Sequence, residues 1–172
     1  MRRRLASYTF VLGLACMLGA CGFQLRGTSD TDAGVPEAWK SMHLVTANPN
    51  GEFSRDVQTR FAANGVQWQD RQDANFRLVL SPERFSQRNL SLNAEARAAE
   101  FELTMRAQFS VLDADNNEVI ASTQVSTIRQ MENDPRNVMG KSEEIRLLKS
   151  EMRAELAQQI MRRIGFFATS TR

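Results

Sequence analysis

Phe101-Glu102-Leu103-Thr104-Met105-Arg106-Ala107-Gln108-Phe109-Ser110-Val111 decides how this chain folds. Phe101, Leu103, Met105, Ala107, Phe109 and Val111 take alternate positions, and Glu102, Thr104, Arg106, Gln108 and Ser110 fill the places between. Successive side chains of an extended strand point to opposite faces. The period of two therefore predicts a sheet with one dry face and one polar face. Asp113-Ala114-Asp115-Asn116-Asn117 supplies a hairpin turn, and residues 119–131, rich in Thr, Val and Ile, return as the next strand.

Working toward the N-terminus, residues 74–81 read as a strand, with Phe76, Leu78 and Leu80 set against Arg77 and Val79. Residues 41–46 read as a shorter, earlier strand. Between these two strands Asn48-Pro49-Asn50-Gly51 is a turn, and Ser54 reads as a helix N-cap. Phe53, Val57 and Phe61 recur every four residues and share one helical face. Asn64-Gly65 stops that helix, because glycine tolerates the left-handed conformation at a C-terminal end. Pro82 interrupts the second strand, as at an edge or bend. Residues 82–98 are polar apart from Phe85, Leu90 and Leu92, which predicts a long loop or a poorly covered hairpin end.

Toward the C-terminus, Asn133-Asp134-Pro135 breaks the chain and starts a helix, with Asp134 as cap and Pro135 at the first position. Ile145, Leu148, Met152, Leu156, Ile160 and Ile164 follow at spacings of three and four, giving a long amphipathic helix. Gly165 is expected to end it, with Phe166-Phe167 covering the edge of the core. The expected architecture is α+β: a two-layer sandwich of a four-stranded, mostly antiparallel sheet with two amphipathic helices on one face.

The first residues carry a different message. Arg2-Arg3-Arg4 precedes an apolar run from Leu5 to Ala20, and Leu18-Gly19-Ala20-Cys21 closes it. A basic start, an apolar segment and a small-small-Cys end describe a bacterial lipoprotein signal peptide, residues 1–20, with Cys21 as the lipidated residue. The competing reading is a transmembrane anchor. The run is only 16 residues and includes Ser7, Thr9 and two glycines, whereas a span needs roughly 20 predominantly apolar residues. Gly22 stands where an inner-membrane retention Asp would be, which favours the outer membrane. Acyl chains on Cys21 would anchor the protein at about 0.8 kcal/mol per buried methylene. Residues 21–38, polar and small through Thr28–Gly34, read as a lipidated tether, and residues 39–172 as one domain.

Cleavage changes the charge. The chain has 22 Lys+Arg and 20 Asp+Glu. The signal takes three arginines and no acid, so the mature chain has 19 against 20, a formal charge of −1. That balance argues against a nucleic-acid binder. The 152 mature residues suit a single core. Cys16 leaves with the signal, so no thiol remains for a disulfide. The sole histidine, His43, sits among Met42, Leu44 and Val45 as a strand residue, and no His cluster can build a metal site. No phosphate-cradling glycine loop and no Gly-x-Ser-x-Gly is present. Neither enzyme activity nor a cofactor is expected.

Cys21-Gly22-Phe23-Gln24-Leu25-Arg26-Gly27 resembles the mature start of the LptE (RlpB) family, lipopolysaccharide-assembly outer-membrane lipoproteins of Gram-negative bacteria. Pro49-Asn50-Gly51 leading to Ser54-Arg55 and Asn64-Gly65-Val66 is similar to the family's first helix. Asn133-Asp134-Pro135 and the segment from Glu151-Met152 through Ala157-Gln158-Gln159-Ile160-Met161-Arg162-Arg163-Ile164 resemble its last turn and helix. The resemblance covers essentially the whole mature chain. It implies a partner, the LptD-type outer-membrane β-barrel, in which the lipoprotein sits as a plug and whose assembly it supports. It also implies binding of lipopolysaccharide, whose phosphates and carboxylates suit Lys and Arg.

A family basic position after the Asn-Pro-like turn matches Lys141. A second family position falls on Ala94 or a neighbour, where Arg97 is the nearest cation. Arg84, Arg88 and Arg136 complete the candidate lipopolysaccharide-binding residues, each equally readable as a solvated surface charge. Leu90 and Leu92 either pack under their loop or touch acyl chains or the barrel wall. The polar strand face suits the wet lumen of a barrel, and it equally suits an ordinary solvated sheet. The runner-up reading is a free-standing periplasmic lipoprotein that binds a lipid or a glycan, and a small hydrolase is third.

Overall fold

The computed structural model describes residues 35–92, 98–133 and 138–170. Its elements run β1 (Ser41–Thr46), α1 (Glu52–Ala62), β2 (Gln67–Trp68), β3 (Phe76–Leu80), β4 (Arg84–Leu92), β5 (Ala98–Asp113), β6 (Glu118–Glu132) and α2 (Val138–Ser170). A 3-10 turn at Glu37–Trp39 leads into β1, and Val35 and Trp39 are already part of the core. The signal peptide, Cys21, Arg97, Arg136 and the Asp134-Pro135 helix start lie outside the described residues.

The alternating stretch lies within β5, the strand around which the sheet is organised. One edge of β5 pairs antiparallel with β6 from Glu100 to Leu112. Its other edge is shared: β3 pairs with residues 109–113 and β4 with residues 98–106, both antiparallel. β1 then runs parallel to β3, and β2 parallel to β1. The sheet therefore has six strands and is mixed, where four mostly antiparallel strands were expected.

The two extra strands have plain causes. Pro82 cannot donate to a ladder, so β3 breaks there and the chain resumes along β5 as β4. Ser81 closes the gap: its amide donates to the Gln108 carbonyl at 2.9 Å, and its Oγ accepts from the Gln108 amide at 2.8 Å. Of the two readings of residues 82–98, a long loop or a poorly covered hairpin end, the second holds: Arg84–Leu92 is a strand paired antiparallel with β5. Its inward residues Gln87 and Asn89 are exposed, beyond the cover of the helices, so no apolar alternation marks it. β2 has two residues, too few for any period.

The dry face is as the alternation demands. Phe101, Leu103, Met105, Ala107, Phe109 and Val111 are all buried, with Leu103, Met105 and Val111 fully so. α1 lays Phe53, Val57 and Phe61 toward this core, and α2 lays down Met152, Leu156, Ile160 and Ile164. Two helices on one face of the sheet hold as expected. Glu155 on α2 accepts from Thr127 and Arg129 of β6. Arg153 on α2 reaches Glu52 of α1 and Glu83 before β4.

Local signals hold in most places. Gly65 has φ +87° just past α1, and the Val66 amide returns to the Phe61 carbonyl. Asp113 closes the β5–β6 turn by accepting from the Asp115 and Asn117 amides and from Asn117 Nδ2. Arg77, buried on the outer face of β3, donates to Asn116 Oδ1 and the Asp113 carbonyl and ties that turn to the sheet.

Two signals fail. Gly51, not Ser54, occupies the α1 N-cap, and Ser54 Oγ donates instead to the Asn48 carbonyl at 2.7 Å. Gly165 does not end α2, which runs on to Ser170. A helical glycine costs about 1 kcal/mol, and burial of Ala168 together with Phe167 packed edge-on to Trp39 outweighs it. Phe167 thus covers the core's edge, whereas Phe166 is 77% exposed and does not.

Candidate functional site

The candidate cations fall on two sides of the sheet. Lys141 is in the first turns of α2, on the helix side. Its Nζ lies 4.2 Å from the centroid of the Phe101 ring and donates to Asn133 Oδ1 at 2.6 Å. An ammonium over an aromatic face is held by the ring quadrupole. The half-buried side chain is therefore positioned, and no carboxylate among the described residues pairs with its charge. Phe101 reaches this point because it is the first dry-face residue of the alternating stretch. Asn133 reaches it because β6 ends beside Phe101, where the Asn133 amide donates to the Ala99 carbonyl.

Arg84 and Arg88 lie on the other, outer side. β4 places Arg84 directly opposite Arg106 and Arg88 directly opposite Glu102. Arg88 grips Glu102 through two bonds, Nε to Oε1 at 2.7 Å and a terminal nitrogen to Oε2 at 2.9 Å. The Arg88 hydrogen bond holds the Glu102 carboxyl below the ordinary carboxylate range. Arg88 is thus neutralised in place, which weakens it as a ligand for an added anion.

Arg84 has no such partner. It and Arg106 are both exposed, and among the described residues neither makes a hydrogen bond or an ion pair; Arg106 feels Glu102 only at a distance. They line a groove of about 470 Å³ with Ser81, Gln108 and Gln124.

The structure therefore does not gather the candidates into one site. Lys141 stands apart from Arg84 and Arg88, and Arg97, Arg136 and Cys21 are not among the described residues. Sequence reasoning passed over Arg106 as one polar residue of an alternating strand. Its significance depends on the residue opposite, and that pairing was invisible without the β4–β5 register.

The comparisons bear on the whole fold. The LptE family model, described as lipopolysaccharide-assembly, matches residues 39–164. The chain belongs to the LptE family. It is 32% identical over 169 residues to the LPS-assembly lipoprotein LptE of Yersinia pestis strain Pestoides F, covering 95% of this chain and 77% of that one. The crystal structure of rare lipoprotein B from Shewanella oneidensis superposes with a TM-score of 0.68 at 26% identity, covering 76% of this chain and 97% of that one. The solution structure of an uncharacterized lipoprotein B from Nitrosomonas europaea, at 21% identity, shares the fold with a TM-score of 0.72 over 87% of this chain and 94% of that one.

The LptE match spans the sheet, α1, α2 as far as Ile164 and every candidate cation from Arg84 to Lys141. It starts at Trp39 and so leaves Cys21 outside. Among the described residues no helix is long and apolar enough to cross a membrane.

Proposed function

We propose that this chain is a lipid-anchored component of lipopolysaccharide assembly at the outer membrane. In this reading it plugs an LptD-type β-barrel, supports assembly of that barrel and binds lipopolysaccharide. The observation that carries the reading is the likeness, over 95% of the chain, to relatives named LPS-assembly lipoprotein LptE. Acyl chains on Cys21 would hold it to the periplasmic leaflet.

The geometry supports two parts of this. The outer face of β5 is polar and carries no helix, as a plug in a wet lumen requires. Lys141 is the cation best placed for lipopolysaccharide, because Phe101 and Asn133 fix its ammonium without neutralising it. The role is binding and assembly rather than catalysis. His43 Nδ1 lies 2.9 Å from the Gln69 carbonyl oxygen, which suits a strand residue tied to its neighbour.

One observation favours the runner-up, a free-standing periplasmic lipoprotein that binds a lipid or glycan. A groove of about 460 Å³ lies between Phe109, Ile120, Arg162, Arg163, Phe166 and Phe167. Lipopolysaccharide binding separates the two readings. Lys141→Ala should weaken it about tenfold, since a hydrogen bond to a charged group contributes about 1.5–3 kcal/mol, with the thermal transition retained. Unchanged affinity in that variant, with loss in Phe166→Ala, would move the site to the groove.

A further inference from the structure

The structure points to a second anion site, on the side of the sheet opposite Lys141. We infer that Arg84 and Arg106 together bind a phosphate monoester in the groove at the β3–β4 break.

Three observations converge there. The first is register. Arg84 faces Arg106 directly across the β4–β5 ladder, and Arg106 faces Ser126 directly across β5–β6. Directly opposed side chains have Cβ atoms about 4.5–5.5 Å apart, and like charges so placed destabilise a sheet. The second is the lack of compensation. Four rungs along the same ladder, Arg88 is met by Glu102 at 2.7 and 2.9 Å. No carboxylate meets Arg84 or Arg106 among the described residues, and Glu102, the acid Arg106 feels, is already held by Arg88. The third is shape. The break at Pro82 leaves a recess of about 470 Å³, which Gln108 and Gln124 also line.

The chemistry of the recess selects its ligand. Two guanidiniums supply a double positive charge and two planar forks of N–H donors. A carboxylate, with one charge and two oxygens, satisfies one fork. A phosphate monoester carries close to two charges and three terminal oxygens, so it can bridge both forks and still reach an amide. A recess also suits a projecting headgroup better than the flat wall of another protein. The inference goes beyond the lipopolysaccharide reading, because it needs neither Lys141 nor the barrel. The phosphate could be carried on a lipid or be free in solution.

The test is calorimetric titration of the full chain with three probes: dihexanoyl phosphatidic acid below its micelle concentration, inorganic phosphate, and a hexaglutamate peptide. It is run on wild type, on Lys141→Gln and on the double variant Arg84→Gln with Arg106→Gln. The double variant should bind phosphatidic acid at least about tenfold more weakly, also when built on Lys141→Gln. Arg88→Gln should lose little. Phosphatidic acid binding tighter than inorganic phosphate assigns a lipid headgroup, and equal affinities assign the free anion.

Removing two opposed cations should also leave the thermal midpoint unchanged or raise it by about 1–3 °C, less so at 1 M salt. A lowered midpoint would make the arginines structural and overturn the inference. So would unchanged phosphatidic acid affinity in the double variant, or hexaglutamate binding as tightly as phosphatidic acid. Loss confined to Lys141→Gln would sink this site and leave the lipopolysaccharide reading standing. Loss confined to the arginine variant is the predicted result, and it leaves the lipopolysaccharide reading to its own titration.

Discussion

Leu103 and Arg106 belong to one strand and live in different worlds. Leu103 is fully buried beneath the helices, in register with Phe101, Met105 and Phe109. Arg106 stands exposed on the other face, opposite another arginine. The face that carries stability is closed: its apolar groups are packed, and the polar groups at its margin are tied, as Glu155 is to Thr127 and Arg129. The opposite face keeps charge that the chain's described carboxylates do not compensate. A surface of that kind is open to a ligand or partner, as the proposed role requires.

The largest effect should come from breaking the closed face. Leu103→Ala should cost about 2–5 kcal/mol of unfolding free energy, the usual range for an emptied core leucine. Gln108→Ala, on the same strand but the open face, should stay within about 0.5 kcal/mol. Urea unfolding of the pair measures the contrast. Similar losses in both would mean that the two faces share the stability.

A smaller effect sharpens the margin between the faces. The hydrogen bond from Thr127, helped by Arg129, holds the Glu155 carboxyl below its ordinary value of 4.5. A carboxyl depressed in the folded state contributes stability that is present above about pH 4.5 and fades as pH falls through its folded value. Glu155 is about one-third exposed, so solvent screening keeps the contribution under about 1 kcal/mol. Glu155→Gln should therefore be slightly less stable than wild type at pH 7, and the gap should close as the solution is acidified. A gap that widened toward acid would reverse the assignment.

The two faces were unequally legible in the sequence. The closed face announces itself, because burial imposes a period. β5, β6, α1 and most of α2 follow from the spacing of their apolar residues. β4 has no such signature: Phe85 is its half-buried inward residue, and Gln87 and Asn89 extend past the helices. The end of α2 was misplaced because Trp39, distant in sequence, packs on Phe167 and carries the helix through Gly165. For the site, Lys141 was within reach through resemblance to a family. Its seat over Phe101 was not, and neither was the difference between Arg88 and Arg84. That difference is which residue stands opposite, and register is a tertiary fact.

The proposal that this face is a plug surface is tested most directly by what leaves the membrane with it. A tagged copy expressed at its native level should be drawn from detergent-solubilised outer membranes of its own cells. The account predicts that an LptD-type barrel co-purifies in near-equal amount and survives washing at moderate salt. Recovery of the lipoprotein alone, from membranes in which that barrel is abundant, would contradict it.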